Sequence, residues 1–387
     1  MMRVAVFGAS GFAGTAVIER LLARNDVEVL AVIHSDGSAW RLFRRLDLTL
    51  EQVDILSRQQ VKNVLKGVTH VVNCTRGTDH VMIDGLKNLL EEAKHAQVQR
   101  FVHISSVLIY GDKPSPDSVH ETARPDPQTN AYGILKLKQD QLVQAAAQAG
   151  LPSTILCPPN IIGPSSYLLN GLVNMIKQDQ FGLLDDGKTA CATVDVANLA
   201  KAIELALFHG KGDGTRYFVT DNYNTTWAEL AEHLLPLTGK TQTICITKQE
   251  IERHTRVPNI SYNPLRSFKH LVGSNVREAL RLDPLLCKVD LFFRGLVGKL
   301  PGDMEEKVRL SIEGPTVIAK VTNAAPINWQ FCSAQMRGVY HSCDLLQKEL
   351  NYTPEFTFHE SMNAYINWHN TMRGYDTEFA NILKRLA

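Results

Sequence analysis

The stretch Val4-Ala-Val-Phe7-Gly8-Ala-Ser10-Gly11-Phe12-Ala-Gly14 decides the fold. A short apolar run ends at a glycine, and a helical pattern reaching Arg24 begins directly after it. The three glycines meet three needs of a strand–turn–helix unit that receives a dinucleotide. Gly8 permits the tight turn, Gly11 lets backbone approach a pyrophosphate, and Gly14 allows close packing of helix on strand. Ser10 and Phe12 belong to the same loop, and the helix N-terminus offers N–H groups and partial positive charge to phosphates.

Outward from this loop the chain alternates. Val27–Ile33, Val53–Leu56, His70–Cys74, Phe101–Ser105 and Pro152–Leu156 read as strands, with helices predicted over Gln60–Lys66, Asp84–His95 and Tyr132–Ala147. Such alternation implies right-handed crossovers and a parallel sheet covered on both faces. A helix over Asp195–Phe208 and a strand over Arg216–Thr220 fit the same sheet. From Asn224 onward the pattern loosens, with no internal repeat and no low-complexity tract.

The 387 residues suit two or three domains. Lys and Arg number 41 against 40 Asp and Glu, which argues against nucleic-acid binding by bulk charge. At 44% hydrophobic and 21% charged, the chain is neither disordered nor collagen-like. The seven cysteines are Cys74, Cys157, Cys191, Cys245, Cys287, Cys332 and Cys343. None form a C-x-x-C pair, so reduced thiols in a cytoplasmic protein are expected. No apolar run spans a membrane. Val289–Leu300 reads as a buried helix or pocket wall before it reads as a lipid-surface segment. No histidine or acidic spacing suggests a metal site, and no G-x-S-x-G elbow appears.

Where the second strand ends, a dinucleotide's ribose is read. NAD binders usually place an acidic residue there; this chain has His34 and Ser35, with Asp36 two residues late and Arg41, Arg44 and Arg45 soon after. The arginines could pair with a 2′-phosphate, which tilts the expectation toward NADP over NAD. Tyr132-Gly-Ile-Leu-Lys136 places a phenol and an ammonium on one helix face, where the cation can stabilise a phenolate. Ser106 stands at the C-terminal end of a strand, where open parallel sheets bind ligands, and its hydroxyl can polarise a carbonyl oxygen.

Taken in order, GASGFAG, Asp54-Ile55, the run DGLKNLLEEAKHAQVQRFVHISS, Tyr110-Gly111, Glu121, AYGILK, ILCPPNIIGP and VDVANLAKAI resemble the extended short-chain dehydrogenase/reductases. That superfamily includes NAD(P)-dependent epimerase/dehydratases and 3β-hydroxysteroid-dehydrogenase-like and dihydroflavonol-reductase-like enzymes. The match is good over about residues 3–220 and thin beyond. It implies an α/β fold, a Rossmann-type doubly wound parallel sheet with a smaller C-terminal α/β substrate domain. The expected division is 1–165 plus about 191–222 for the dinucleotide domain, and about 166–190 plus 223–387 for the other.

By the same resemblance Asp54 and Ile55 hold the adenine, Lys136 the nicotinamide ribose, and Ser106 and Tyr132 flank the reacting carbon. Ser106 is preferred to Ser105 because the family's hydroxyl lies four residues before the tyrosine of Tyr-Gly. Pro158 and Asn160, in the turn after the sixth strand, abut the nicotinamide, and Asn88 supports strand and site. Cys74, Thr75 and Arg76 replace the small residues common beside the cofactor. Cys157 and Lys188 stand where nucleotide-sugar enzymes often carry arginine, which serves a sugar diphosphate less well.

The function expected is hydride transfer between nicotinamide and a carbonyl or carbinol carbon of a small molecule. The alternatives are an epimerase or dehydratase with transiently reduced NAD, and a non-catalytic dinucleotide sensor. Tyr167, Phe181 and the tract Phe292–Leu296 hint at a partly hydrophobic pocket. The resemblance also leaves room for a homodimer.

Overall fold

The computed structural model describes residues 2–35, 42, 48–255 and 326–386, with side chains described as far as 372. The residues up to Glu252 and from Pro326 onward form one compact unit. Its centre is a seven-stranded parallel sheet. The strands are β1 (Met2–Phe7), β2 (Val27–Ile33), β3 (Thr49–Gln52), β4 (His70–Asn73), β5 (Arg100–Ile104), β6 (Ser153–Cys157) and β10 (Asp213–Phe218). In space they run β10-β6-β5-β4-β1-β2-β3. The order reverses between β1 and β4, so the two halves diverge there and open a crevice at the strands' C-terminal ends.

Helices cover both faces, as right-handed crossovers require. On one face, α1 (Phe12–Leu22) and α6 (Val196–His209) bury Val17, Ile18, Leu21, Leu199 and Ile203 against Val4, Val6 and Val29. On the other lie α2 (Arg58–Val64), α3 (Leu86–His95) and α4 (Ala131–Gln148), over Ala5, Phe7, Val71 and Phe101. The inner strands are buried on both faces and therefore read as continuous apolar runs.

The third strand departs from its expected position: Thr49–Gln52 forms it, not Val53–Leu56. All four of its residues are exposed because it is an edge strand bonded only to β2, so it carries no apolar signal. Val53 and Ile55 are buried as a turn. There the Asp54 carboxylate accepts the Leu56 N–H at 2.9 Å, and Ser57 N–H donates to Asp54 C=O.

A smaller apolar cluster lies beyond β6 and the short β7 (Asn160–Ile162). Here α5 (Tyr167–Lys177), β8 (Gly182–Leu184), α7 (Trp227–Leu234) and β11 (Ile244–Ile246) meet two distant segments. These are the helical turn Trp329–Cys332 and the start of the helix Phe358–Leu386. β8 pairs with β11, and β7 pairs with β9 (Thr193–Asp195). Asn198 ties in the C-terminal segment: its Oδ1 accepts from Glu355 N and Phe356 N, and its Nδ2 donates to Phe356 C=O at 2.7 Å.

Among the described residues no helix is long and apolar enough to cross a membrane. Val289–Leu300 and Phe292–Leu296 lie outside the described residues. Phe181 belongs to the smaller core, against Trp227 and Phe331, while Tyr167 is exposed. The six described cysteines are free thiols.

Candidate active site

The glycine turn sits where β1 hands over to α1. Gly8 adopts φ +76°, and a Cβ there would stand 2.7 Å from the Cys74 carbonyl oxygen. A Cβ on Gly14 would lie 2.2 Å from Gly8 O, so helix and turn touch backbone to backbone. Gly11 is the extended residue before α1, and Phe12 is the helix's first residue. No side chain caps this N-terminus and no acidic residue stands in the first turn, which leaves donors and dipole open to an anion. The cradle therefore fits a pyrophosphate. Thr15 closes the loop from within, donating its hydroxyl to Gly11 C=O at 2.9 Å. Ser10 lies in the turn itself.

At the end of the crevice where an adenosine is expected, His34 and Ser35 directly follow β2, and His34 shares a cavity wall with Asp54 and Gln60. Asp54 is occupied in shaping its own turn, its N–H donating to Gln60 Oε1 at 2.8 Å. Asn88 donates to the carbonyls of Ile55 and Leu56 at 3.2 and 3.1 Å. Its support goes to the turn after β3, rather than to the strand beside Ser106. Arg41, Arg44 and Arg45 lie outside the described residues.

Cys74, Thr75 and Arg76 continue from β4 into the crevice. Burial pushes the Cys74 thiol up to about 12, so it stays neutral. The Thr75 hydroxyl donates to Asn73 Oδ1 at 2.6 Å. Asn73 in turn donates to His103 Nδ1 at 3.1 Å, in a buried pair that burial keeps neutral.

Helix α4 carries the phenol and the ammonium. Asn130 starts it, accepting the Gly133 N–H at 2.8 Å, so Tyr132 falls in the first turn and Lys136 one turn on. The Lys136 ammonium is buried and donates to Ile104 C=O at 2.7 Å. Burial lowers it to about 8, opposed chiefly by Asp140. The Arg76 guanidinium lies 5.2 Å from the Tyr132 ring centre and the Lys136 ammonium 5.8 Å. Burial raises the Tyr132 phenol, and the Arg76 charge opposes that rise. Two cations thus stand beside one phenol, and positive charge there works against the larger effect of burial, which disfavours the anion.

Ser106 lies between two points that α4 touches. Lys136 holds Ile104, two residues before it, and Gly133 presses on Leu108, two residues after, where a Cβ would come within 2.2 Å of Leu108 O. Its hydroxyl accepts the Leu108 N–H at 3.2 Å. Ser105 is buried on the other side of the strand end, near Asp140 and Cys157.

A cavity of about 80 Å³ opens beside Ser106, with Asn160, Trp227, Arg337, Val339 and His341 in its wall. Pro158 C=O accepts Val107 N–H at 3.2 Å, and Asn160 Nδ2 donates to Ala192 C=O at 3.0 Å, which fixes the turn after β6. Arg337 was not evident from sequence. Its Nε and Nη2 donate to Asp112 Oδ1 at 3.0 and 2.7 Å, and Asn130 Nδ2 donates to the same carboxylate. Arg337 is thereby joined to the residue that starts α4. Neither Tyr167 nor Phe181 lines this cavity. Lys188 is 82% exposed and pairs with Asp186 at 3.7 Å.

The comparisons with known proteins agree with this architecture. The chain is 28% identical over 290 residues to a 4-hydroxy-2-methyl-3-oxo-4-farnesyl-3,4-dihydroquinoline-1-oxide ketoreductase of Stigmatella aurantiaca, covering 72% of this chain and 82% of that one. It is 24% identical over 252 residues to a UDP-glucose 4-epimerase of Vibrio cholerae, covering 59% and 73%. Among solved structures, dTDP-glucose 4,6-dehydratase of Bacillus anthracis in complex with NAD superposes with a TM-score of 0.65 at 15% identity, over 96% and 97% of the two chains. The sequence profile of the NAD dependent epimerase/dehydratase family matches residues 4–219. The chain belongs to the NAD dependent epimerase/dehydratase family, enzymes of the extended short-chain dehydrogenase/reductase type.

Proposed function

We propose that the protein is a nicotinamide-dinucleotide oxidoreductase acting on a carbonyl or carbinol carbon of a small molecule. The observation that carries this is the Tyr132 phenol beside the Lys136 and Arg76 cations, at the crevice that Ser106 enters two residues beyond the end of β5. The dinucleotide, when bound, supplies or accepts hydride at its nicotinamide ring. Gly8, Ser10, Gly11, Phe12 and Gly14 hold the pyrophosphate, with Asp54 and Ile55 at the adenine and Pro158 and Asn160 at the nicotinamide end. Cys74, Thr75 and Arg76 form the crevice wall between them.

In the reductive direction Ser106 donates its hydroxyl hydrogen to the substrate oxygen and fixes its orientation. Tyr132 gives that oxygen its phenolic proton, and the resulting phenolate is held by the Lys136 ammonium. The oxidative direction reverses each step. The absence of an acidic residue at the end of β2, with Arg41, Arg44 and Arg45 following, supports NADP over NAD.

A second reading, epimerisation or dehydration with transiently reduced NAD, draws on the relatives of that activity. Cys157, buried where such enzymes often carry arginine, speaks against it. Tyr132→Phe tests the first reading. The variant is expected to bind NADH and NADPH as the parent does and to lose turnover on a carbonyl panel by roughly a hundredfold or more. Full turnover by Tyr132→Phe overturns it, and turnover with no net change in reduced dinucleotide favours the second.

A further inference from the structure

Tyr132, Lys136 and Asp140 lie one turn apart on α4, so all three share its buried face. Asp140 is fully buried. Arg216 of β10 reaches it from the sheet face that α4 covers, the face it shares with Phe218, with Nε 2.8 Å from Oδ2. The Ser105 hydroxyl, one residue before Ser106, lies nearby, but neither it nor Asp140 Oδ1 has a hydrogen-bond partner, so Arg216 is what holds the carboxylate. Burial alone would neutralise such a carboxyl, and removing one partner of a buried pair leaves the other charge uncompensated.

Lys136 has its own problem. Its ammonium is buried and donates to a neutral carbonyl, and the groups around it are few. Tyr132 and Asp140 come from its own helix, Cys74 and Arg76 from the segment after β4, His103 from β5 and Cys157 from β6. Burial keeps both thiols and His103 neutral, and Arg76 carries like charge. Asp140 is therefore the opposite charge that acts most strongly on the ammonium.

We propose that Asp140, held by Arg216, is a positioning residue: its carboxylate keeps the Lys136 ammonium charged and directed at Ile104, so that Lys136 can favour the Tyr132 phenolate. This rests on the roles proposed above for Tyr132 and Lys136. The four groups alternate in charge: Arg216 is paired with Asp140, and Asp140, Lys136 and the phenolate follow one another at single-turn steps along α4. Each member is unfavourable alone in a buried setting and favourable beside the next.

The test needs no substrate. Tyrosinate absorbance is titrated in the NAD⁺-saturated protein, with Tyr132→Phe as the blank that isolates the Tyr132 signal. In Asp140→Asn the Lys136 ammonium is lost more readily, and the Tyr132 midpoint is expected to rise by about one pH unit, a tenfold weaker ionisation. Asp140→Glu, which keeps the charge, is expected to return the midpoint to within a few tenths of the parent value. A purely structural role would lower stability in both variants alike without moving the midpoint. Where Asp140→Asn alone does not fold, the double variant Asp140→Asn/Arg216→Gln removes both charges and is read in its place. An unchanged midpoint in the folded variant overturns the proposal. Lys136→Met separates the two levels. A midpoint that moves in Lys136→Met but not at Asp140 overturns the positioning role alone. A midpoint indifferent to both overturns the acid–base reading of the site together with it.

Discussion

The crevice has two sides built on different principles. The dinucleotide side is made of backbone, with Gly8 in the turn and Gly14 in the first turn of α1 both standing where a Cβ cannot. The side beyond Ser106 is made of side chains: Asn160, Trp227 and the pair Arg337 and His341 arrive from three segments far apart in the chain. A backbone cradle tolerates little substitution because any side chain fills it. A side-chain wall can be altered residue by residue, and its reach toward substrate changes while the fold persists.

The largest effect expected of any single change therefore falls on the cradle. Gly14→Ala would place a Cβ 2.2 Å from Gly8 O, an approach that only backbone movement can relieve. Loss of dinucleotide affinity by roughly a hundredfold or more, or loss of the fold, is expected from fluorescence titration and thermal melting. A Gly14→Ala protein that binds NADH as the parent does would break the comparison at its stronger side.

Next in size is a pH effect on the other side. His341 donates Nδ1–H to Ser118 C=O at 2.8 Å, and burial holds its imidazole down to about 4. Below pH 6.5 the unfolded chain takes up a proton that the folded chain refuses. Stability is thus retained above that pH and falls as pH drops toward about 4, by on the order of 3 kcal/mol. His341→Gln keeps a donor for Ser118 and removes the titration, so its denaturant midpoints should fall less steeply with acid. Asp221, pushed up to about 6 by burial, works in the opposite direction between about pH 4 and 6 and cancels when the two proteins are compared. Parallel curves for parent and variant would remove His341 as the cause.

Arg337 should show the divergence between the two sides in kinetics. Through Asp112 it is joined to Asn130, which starts the helix bearing Tyr132. Arg337→Gln is expected to reduce kcat/KM by about tenfold while leaving the dinucleotide Kd unchanged. A matching loss of dinucleotide affinity would show that the two sides are not separable.

How much of this was legible in the sequence follows the same division. Strand–turn–helix with glycines at fixed spacing, and Tyr132 with Lys136 at one helical turn, are local patterns, and the structure places them as read. Ser106 was singled out as a strand-end hydroxyl; in the structure β5 stops at Ile104 and Ser106 starts the turn Val107–Tyr110. The edge strand Thr49–Gln52 was missed because exposure on both faces leaves no alternation to see. Arg337, Trp227 and His341 were missed because no spacing connects residues that only folding brings to one wall. Asp140 had a signal, one turn beyond Lys136 on the same face, but its meaning depends on Arg216, which lies 76 residues later.

The smallest expected effect concerns cofactor choice, and it sharpens the backbone side. The glycine cradle treats NAD and NADP alike, because it touches what they share. Discrimination must come from side chains at the end of β2, where His34 stands in place of an acidic residue. A carboxylate there accepts the hydrogen bonds of a ribose 2′-hydroxyl and repels a 2′-phosphate. His34→Asp is thus expected to shift the ratio of NADPH to NADH affinity by about tenfold toward NADH, with NADH binding held within about threefold. The shift should shrink as salt rises, since the site is open to solvent and the repulsion is screened. A ratio unmoved by His34→Asp would mean that the end of β2 does not face the ribose, and would leave the cofactor preference with the segment that carries Arg41, Arg44 and Arg45.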